Sequence, residues 1–413
     1  MAILKPFKAV RPRKELVKKV QCPPYDVVSF EEAADYGKHH ESFMHVIRAE
    51  IDLPEDTPHY GKTVYKKAKE NLEKLVKDNI LIQDEKPSFY LYKQRMNDHE
   101  QIGLVACASV DEYQQNKIKK HELTRKEKED DRANHVYTVG ANTGPVFLTF
   151  ESQEATEELF RKLVNELEPV YEFVDENSVQ HTVYVINSGE MIKEISDAFS
   201  NIPVLYIADG HHRAASASRV REKMKEENKH HSGDEEYNYF LSVIFPHNHL
   251  NVLDYNRVVK DLNGLSKKDF LKSIENKFTI EEADETPYAP KNKHEFGMYI
   301  DNHWYVIKPK DGTFNENDPV KSLDVAILQN NLLEPVLGIK NPRSDSRIDF
   351  IGGIRGLKEL ETRVTNGWAV AFSMFPTSIE ELMKVADEGL VMPPKSTWFE
   401  PKLRSGLFVH LLK

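Results

Sequence analysis

The stretch Val204-Leu205-Tyr206-Ile207-Ala208-Asp209-Gly210-His211-His212-Arg213-Ala214-Ala215 passes from an apolar run, through a glycine, into residues that favour helix. The run between Pro203 and Gly210 predicts a buried strand, and the alanines after Arg213 open the helix that follows. A tight turn between the two leaves the first N–H groups of the helix unclaimed, with the positive end of its dipole behind them. An anion is favoured there, beside Gly210 and His211. Arg213 can add bidentate contacts to phosphate, and the imidazoles of His211 and His212 are donors at the same end. The plainer alternative makes Asp209 a helix cap with solvated histidines behind it. No protein-held metal is expected from His211 and His212, because adjacent helical residues diverge by about 100° whereas metal-binding pairs sit four apart.

Upstream, Lys119-Lys120-His121-Glu122-Leu123-Thr124-Arg125-Lys126-Glu127-Lys128-Glu129-Asp130-Asp131-Arg132 is almost wholly charged. Read as a helix, it lacks an apolar face wide enough to anchor it in a core, so polar partners must hold it. Ion pairs four residues apart would account for any single charge as a solvated face. The group as a whole offers more: Glu122 as a general base toward a hydroxyl, and Thr124 and Arg125 as phosphate contacts. Asp209 and His211 are the other candidates for a catalytic role. Ala141-Asn142-Thr143-Gly144-Pro145 then forms a turn feeding a strand, with Asn142 and Thr143 as candidate substrate contacts.

Further candidates lie at Tyr25 and Asp26, after the paired prolines 23 and 24, and at Arg48. Arg343 and Arg347 sit in a polar loop over 341–349 that ends near Gly352-Gly353, and such a loop could close over a polar ligand or be a surface loop with local side-chain turns. Residues 392–402 combine prolines with donors suited to phosphate. They could form a lid, although buried aromatic packing explains Trp398 and Phe399 equally well.

Around these motifs, helical spacing runs from Tyr60 to Leu81, and β-rich runs occupy 89–92, 102–110, 145–150, 182–186 and 239–245. Helices are expected at 159–167, 192–199 and from 214 onward. Past Leu262 the pattern changes to a capped helix at Ser266, a hairpin turning at Asp301-Asn302, and alternating short helices and strands. At about 100 to 200 residues per domain, 413 residues imply two or three domains. The boundaries are expected at 1–116, 117–262 and 263–413, in an α+β or mixed α/β chain.

Composition narrows the function. The net charge of −11 argues against broad nucleic-acid binding. No run approaches the length of a membrane span, and the opening residues lack a secretory apolar region, so a cytoplasmic protein without membrane contact is expected. Cys22 and Cys107 alone make neither a disulfide framework nor a thiolate zinc site. The sequence contains no GxxxxGK[ST] loop, no GxGxxG after a first strand, no GxSxG elbow and no HExxH helix.

Taken together, Pro23-Pro24-Tyr25-Asp26, His45-Val46-Ile47-Arg48-Ala49-Glu50, Lys120-His121-Glu122-Leu123-Thr124-Arg125, Asn142-Thr143-Gly144-Pro145-Val146, Ala208-Asp209-Gly210-His211-His212-Arg213 and Met392-Pro393-Pro394-Lys395-Ser396-Thr397 resemble, over nearly the full chain, the bacterial and archaeal family of domains of unknown function number 1015. Asp209 to Arg213 also resembles the phosphate-binding motif of the ParB/sulfiredoxin superfamily, most closely its free serine kinase branch. That resemblance implies a ParB/sulfiredoxin-like core that holds nucleotide phosphates, with an upstream acidic residue activating an acceptor hydroxyl; Glu122 takes that place by position. The implied activity is phosphotransfer to a small hydroxylated metabolite, serine or phosphoserine foremost, with ATP or ADP and Mg²⁺. A phosphohydrolase using the same cradle, or a protein that binds a nucleotide or phosphometabolite without turnover, would carry the same motif.

Overall fold

Strands form where the apolar runs were expected, and those of the first half join one nine-stranded sheet. In the computed structural model, which describes residues 2–413, they are β1 Leu4–Lys5, β2 Phe89–Met96, β3 His99–Ser109, β4 Ile118–Lys119, β5 Val146–Phe150, β6 Tyr171–Val174, β7 Gln180–Ile186, β8 Leu205–Asp209 and β9 Tyr239–Pro246. Their spatial order is β4-β8-β5-β9-β3-β2-β7-β6, with β1 also paired to β3. The β8–β4 and β9–β5 pairs are parallel and the rest antiparallel, which makes the sheet mixed. Every residue of β5 is buried, so this central strand is apolar on both faces rather than alternating, apart from Thr149, whose hydroxyl donates to the Phe245 carbonyl at 2.9 Å.

Five long helices accompany the sheet: α1 Lys62–Lys77, α2 Lys126–Val139, α3 Glu154–Glu166, α4 Gly189–Ser200 and α5 His211–Glu227. Phe150, Phe160 and Phe199 fill the space between α3, α4 and the sheet, and Ala214, Ala215 and Ala217 bring α5 onto the same core. The small alanines allow that close approach. A second core, with Val20, Phe43, Met44, Leu72 and Val409, lies under α1.

The charged stretch divides. Ile118 and Lys119 extend the sheet beside Leu205 and Tyr206, residues 120–125 are irregular, and helix begins only at Lys126. As its composition requires, α2 is fastened by polar contacts: Asp131 accepts from Tyr65 Oη at 2.9 Å, His135 Nε2 bonds the Val46 carbonyl at 3.0 Å, and Asp130 pairs with Arg219 of α5 at 2.6 Å.

The compact units differ from the expected domains. Residues up to Leu250 form one unit together with Pro401–Lys413, and Asn251–Glu400 form the other. No boundary falls at 116/117, because β2 and β3 before it pair with β7 and β9 after it. Residues 401–413 are not part of a C-terminal subdomain, since Val409 exchanges backbone bonds with Val10, Ser405 with Cys22, and His410-Leu411 pair with Ala141-Asn142.

The second unit holds a six-stranded antiparallel sheet of β10 Tyr255–Val259, β11 Phe278–Glu282, β12 Phe296–Ile300, β13 His303–Pro309, β14 Ile348–Gly352 and β15 Val370–Met374, in the order β11-β13-β12-β15-β10-β14. Its hairpin turns at Asp301 and Asn302, both left-handed with φ of 51° and 61°, which matches a two-residue turn of the primed type. Val258, Trp304, Ile351, Leu360 and Ala371 form its core. The paired glycines here make room for neighbours: a Cβ on Gly352 would lie 2.7 Å from the Trp398 ring, and one on Gly353 would strike the Asp254 carboxylate.

Candidate active site

The site begins where β8 ends. Pairing of β8 with β5 shifts register between Ile207 and Asp209, a bulge that re-aims the last residue of the strand. Gly210 then adopts φ +95°, a conformation that L side chains rarely take. Asp209 Oδ1 accepts from the Gly210 N–H at 2.8 Å and so locks the turn, and no side chain caps α5. Asp209 is therefore a brace for the turn and not the helix cap.

Cations gather around it. Arg213 folds back over Gly210, where a Cβ would meet its Nε at 3.1 Å, donates to the Pro145 carbonyl, and stands 4.0 Å from Asp209. Lys402 Nζ lies 3.5 Å from the same carboxylate. Burial alone would raise the Asp209 pKa, but Lys402, Arg213 and the Gly210 N–H outweigh it and hold the carboxyl well below the usual range. Its side chain keeps about a third of its surface open to solvent, 36%.

Behind the turn, His211 and His121 meet edge to face, with ring centroids 4.4 Å apart, an interplanar angle of 84° and Nε2 atoms 3.4 Å apart. Both rings are buried. Burial pushes His121 down to about 4 and His211 well below its ordinary value, so both are neutral near pH 7. Glu122 joins them, with one ligand atom from each of the three residues within 4.8 Å of the others.

On the outer side, His212 is half-buried and its pKa is lowered, first by burial and then by Arg125, with Asp26 and Glu129 opposing. Thr124 donates to Glu129 at 2.8 Å. Tyr25 lies under Arg132, whose guanidinium carbon is 4.2 Å from the ring centroid. Arg48 bonds the carbonyls of Tyr25 at 3.1 Å and Val28 at 3.0 Å and pairs with Glu50, so it fixes the loop carrying Tyr25 and Asp26. A narrow cleft of about 30 Å³ opens beside these groups, lined among others by Tyr25, Arg132, Asn142, Thr143, Gly144 and Arg213.

The first unit thus brings together Tyr25, Asp26, Glu122, Thr124, Arg125, Asn142, Thr143 and the Asp209–Arg213 turn. Asn142 is partly committed, since its Oδ1 accepts from the Leu241 N–H at 3.3 Å and faces His410 at 3.1 Å. Arg343 and Arg347 belong to the second unit. Arg347 braces its own loop through Asp345 at 2.9 Å, Asp261 at 3.4 Å and the carbonyls of Leu337 and Gly338. Sequence reasoning noted His121 and Arg132 in the charged stretch and Lys402 in a segment of donors suited to phosphate, but gave none of the three its partner. His121 is 90 residues from the ring it meets, and Lys402 is 193 residues from the carboxylate it meets.

The family described as "Protein of unknown function (DUF1015)" matches residues 4–326. No curated protein matches the chain. Among solved structures, it is similar to free serine kinase in complex with AMP, at 16% identity over 71% of this chain and 86% of that one with a TM-score of 0.36. It is also similar to a conserved hypothetical protein from Pyrococcus furiosus, at 15% identity over 74% and 95% with a TM-score of 0.36. A third likeness is to C-terminally truncated SbnI from Staphylococcus aureus, at 13% identity over 74% and 87% with a TM-score of 0.37.

Proposed function

The chain belongs to the DUF1015 family, and from the site just described we propose a nucleotide-binding phosphotransferase that acts on a small hydroxylated metabolite. The observation that carries this reading is the N-terminus of α5, which no side chain caps and over which Arg213 is folded. An uncapped helix start offers N–H donors and a positive potential to phosphate oxygens, and a guanidinium beside it adds charge-assisted bonds. Gly210, His211, His212, Thr124 and Arg125 complete the phosphate side in this reading. Tyr25, Asp26, Asn142 and Thr143 receive the acceptor from the cleft, and Arg48 sets the loop under it.

Phosphoryl transfer needs positioning and charge neutralisation more than covalent help from the protein. Asp209 keeps an open carboxylate surface and so offers the hard oxygen that Mg²⁺ prefers, while the ion's other ligands would be water and phosphate. Glu122 is the carboxylate that activates the acceptor hydroxyl. Serine and phosphoserine are the first acceptors to test, with ATP and ADP as donors, because the Asp209–Arg213 motif resembles that of free serine kinases. No helix among the described residues is long and apolar enough to cross a membrane, and we place the activity in the cytoplasm.

The test pairs turnover with binding. Phosphate transfer between ATP or ADP and serine or phosphoserine is followed by product analysis, beside calorimetry of each nucleotide on the same protein. Transfer to a hydroxyl supports the proposal. Release of inorganic phosphate without transfer would make the protein a phosphohydrolase, and binding without either product would make it a nucleotide-binding protein without turnover.

A further inference from the structure

We propose that His121, His211 and Glu122 bind a divalent transition-metal ion. The observation is the distance between the two Nε2 atoms. At 3.4 Å it is long for an N–H donating to a nitrogen. Zinc–nitrogen bonds of about 2.0 to 2.1 Å at a tetrahedral angle place two ligand nitrogens about 3.3 to 3.4 Å apart. The two imidazoles stand at the separation that an ion between them would require. Glu122 offers a carboxylate oxygen within 4.8 Å of a ring nitrogen of each histidine; one oxygen on the ion would leave the other for the acceptor hydroxyl, and a fourth tetrahedral position for water or substrate.

Burial supports the same assignment. His121 is 3% exposed and His211 6%, and the Nδ1 atom of each is buried without a hydrogen-bond partner among the described residues. An ion held by the two Nε2 atoms would put each ring's N–H on Nδ1 and would take up two lone pairs that otherwise face each other at 3.4 Å away from water. Nitrogen ligands also select against Mg²⁺, which prefers oxygen, so this ion is separate from any that arrives with nucleotide phosphates. The expectation of no protein-held metal weighed only the adjacent pair His211 and His212. The partner of His211 is instead His121, 90 residues upstream and brought alongside by the pairing of Ile118-Lys119 with Leu205-Tyr206.

The test needs no nucleotide, so its failure leaves the phosphotransfer reading untouched. The full chain is stripped with a chelator and titrated with Co²⁺ under visible absorption, then with Zn²⁺ by calorimetry. One equivalent of Co²⁺ with the intense absorption of a tetrahedral centre is expected. His121→Ala and His211→Ala should abolish it, Glu122→Gln should weaken it, and His230→Ala should leave it unchanged. Should either alanine variant fail to fold by circular dichroism, His121→Asn and His211→Asn take its place. Absence of stoichiometric binding to the unsubstituted chain, or binding that survives loss of both histidines, would overturn the assignment.

Discussion

Lys402 Nζ stands 3.5 Å from the Asp209 carboxylate, and so the C-terminal segment closes on the turn that opens α5. The pair links the last residue of the 392–402 stretch to the strongest motif in the chain. Lys402→Met should remove part of what keeps Asp209 ionised. A carboxyl with a depressed folded pKa adds stability that is fully present above its unfolded value, near 3.9, and is lost as pH falls through the folded one. The variant should therefore be less stable at pH 7 by about 0.5 to 1 kcal/mol, as for a partly solvated pair. Below pH 4 the difference from the parent should shrink, and denaturant midpoints at both pH values would show it.

Arg213→Ala should weaken phosphate and nucleotide binding by about 1.5 to 3 kcal/mol, the worth of a charge-assisted bond. Arg213→Lys should restore only part of this, because an ammonium cannot reproduce the planar fork. Calorimetry with inorganic phosphate and ADP measures both. Unchanged affinity in a folded Arg213→Ala protein would remove the anion site from the start of α5.

Glu122→Gln should lower turnover by about 10² to 10⁴ with nucleotide affinity nearly unchanged, since glutamine keeps the shape but loses the negative charge. If Glu122 served only as a surface ion-pair partner, activity would stay and stability would fall by at most about 1 kcal/mol.

Gly210→Ala is expected to destabilise the fold by about 1 to 3 kcal/mol, the range for a side chain forced into a positive-φ position. Its Cβ would also press on the Arg213 guanidinium. Thermal melts report the first effect, and phosphate affinity reports the second.

His135 is buried, donates through Nε2 to Val46, and has its pKa pushed down to about 4 by burial above all. A histidine lowered on folding adds stability that is present above its unfolded pKa near 6.5 and is lost as pH falls toward the folded one. Between pH 6.5 and 4 it contributes a slope of up to about 1.4 kcal/mol per pH unit. His135→Asn should flatten the stability profile over that window, as read from denaturant unfolding at each pH.

The strand, turn and helix at 204–227 were legible from the sequence because their signals are local: an apolar run, one glycine, then alanines. The hairpin at Asp301-Asn302 was legible for the same reason, since a two-residue turn depends on its own backbone. The division into units was not. Leu4–Lys5 and residues 401–413 carry no local sign of the strands and loops they join, and their place depends on backbone groups far along the chain.

The sequence by itself determined the strand that enters a helix through Gly210, because the apolar run, the glycine and the alanines after it are local signals whatever surrounds them. It also determined that the charged helical part of 117–132 must be held by polar partners, because that part has too little apolar surface to be held otherwise. Only the tertiary structure decided which partners those are. Pairing of β4 with β8 sets His121 against His211, the return of 401–413 sets Lys402 against Asp209, and α2 lays Arg132 over Tyr25. A charge or an imidazole has no directional preference written into its neighbours in sequence, so its partner is chosen by the backbone geometry that brings distant segments within a few ångströms.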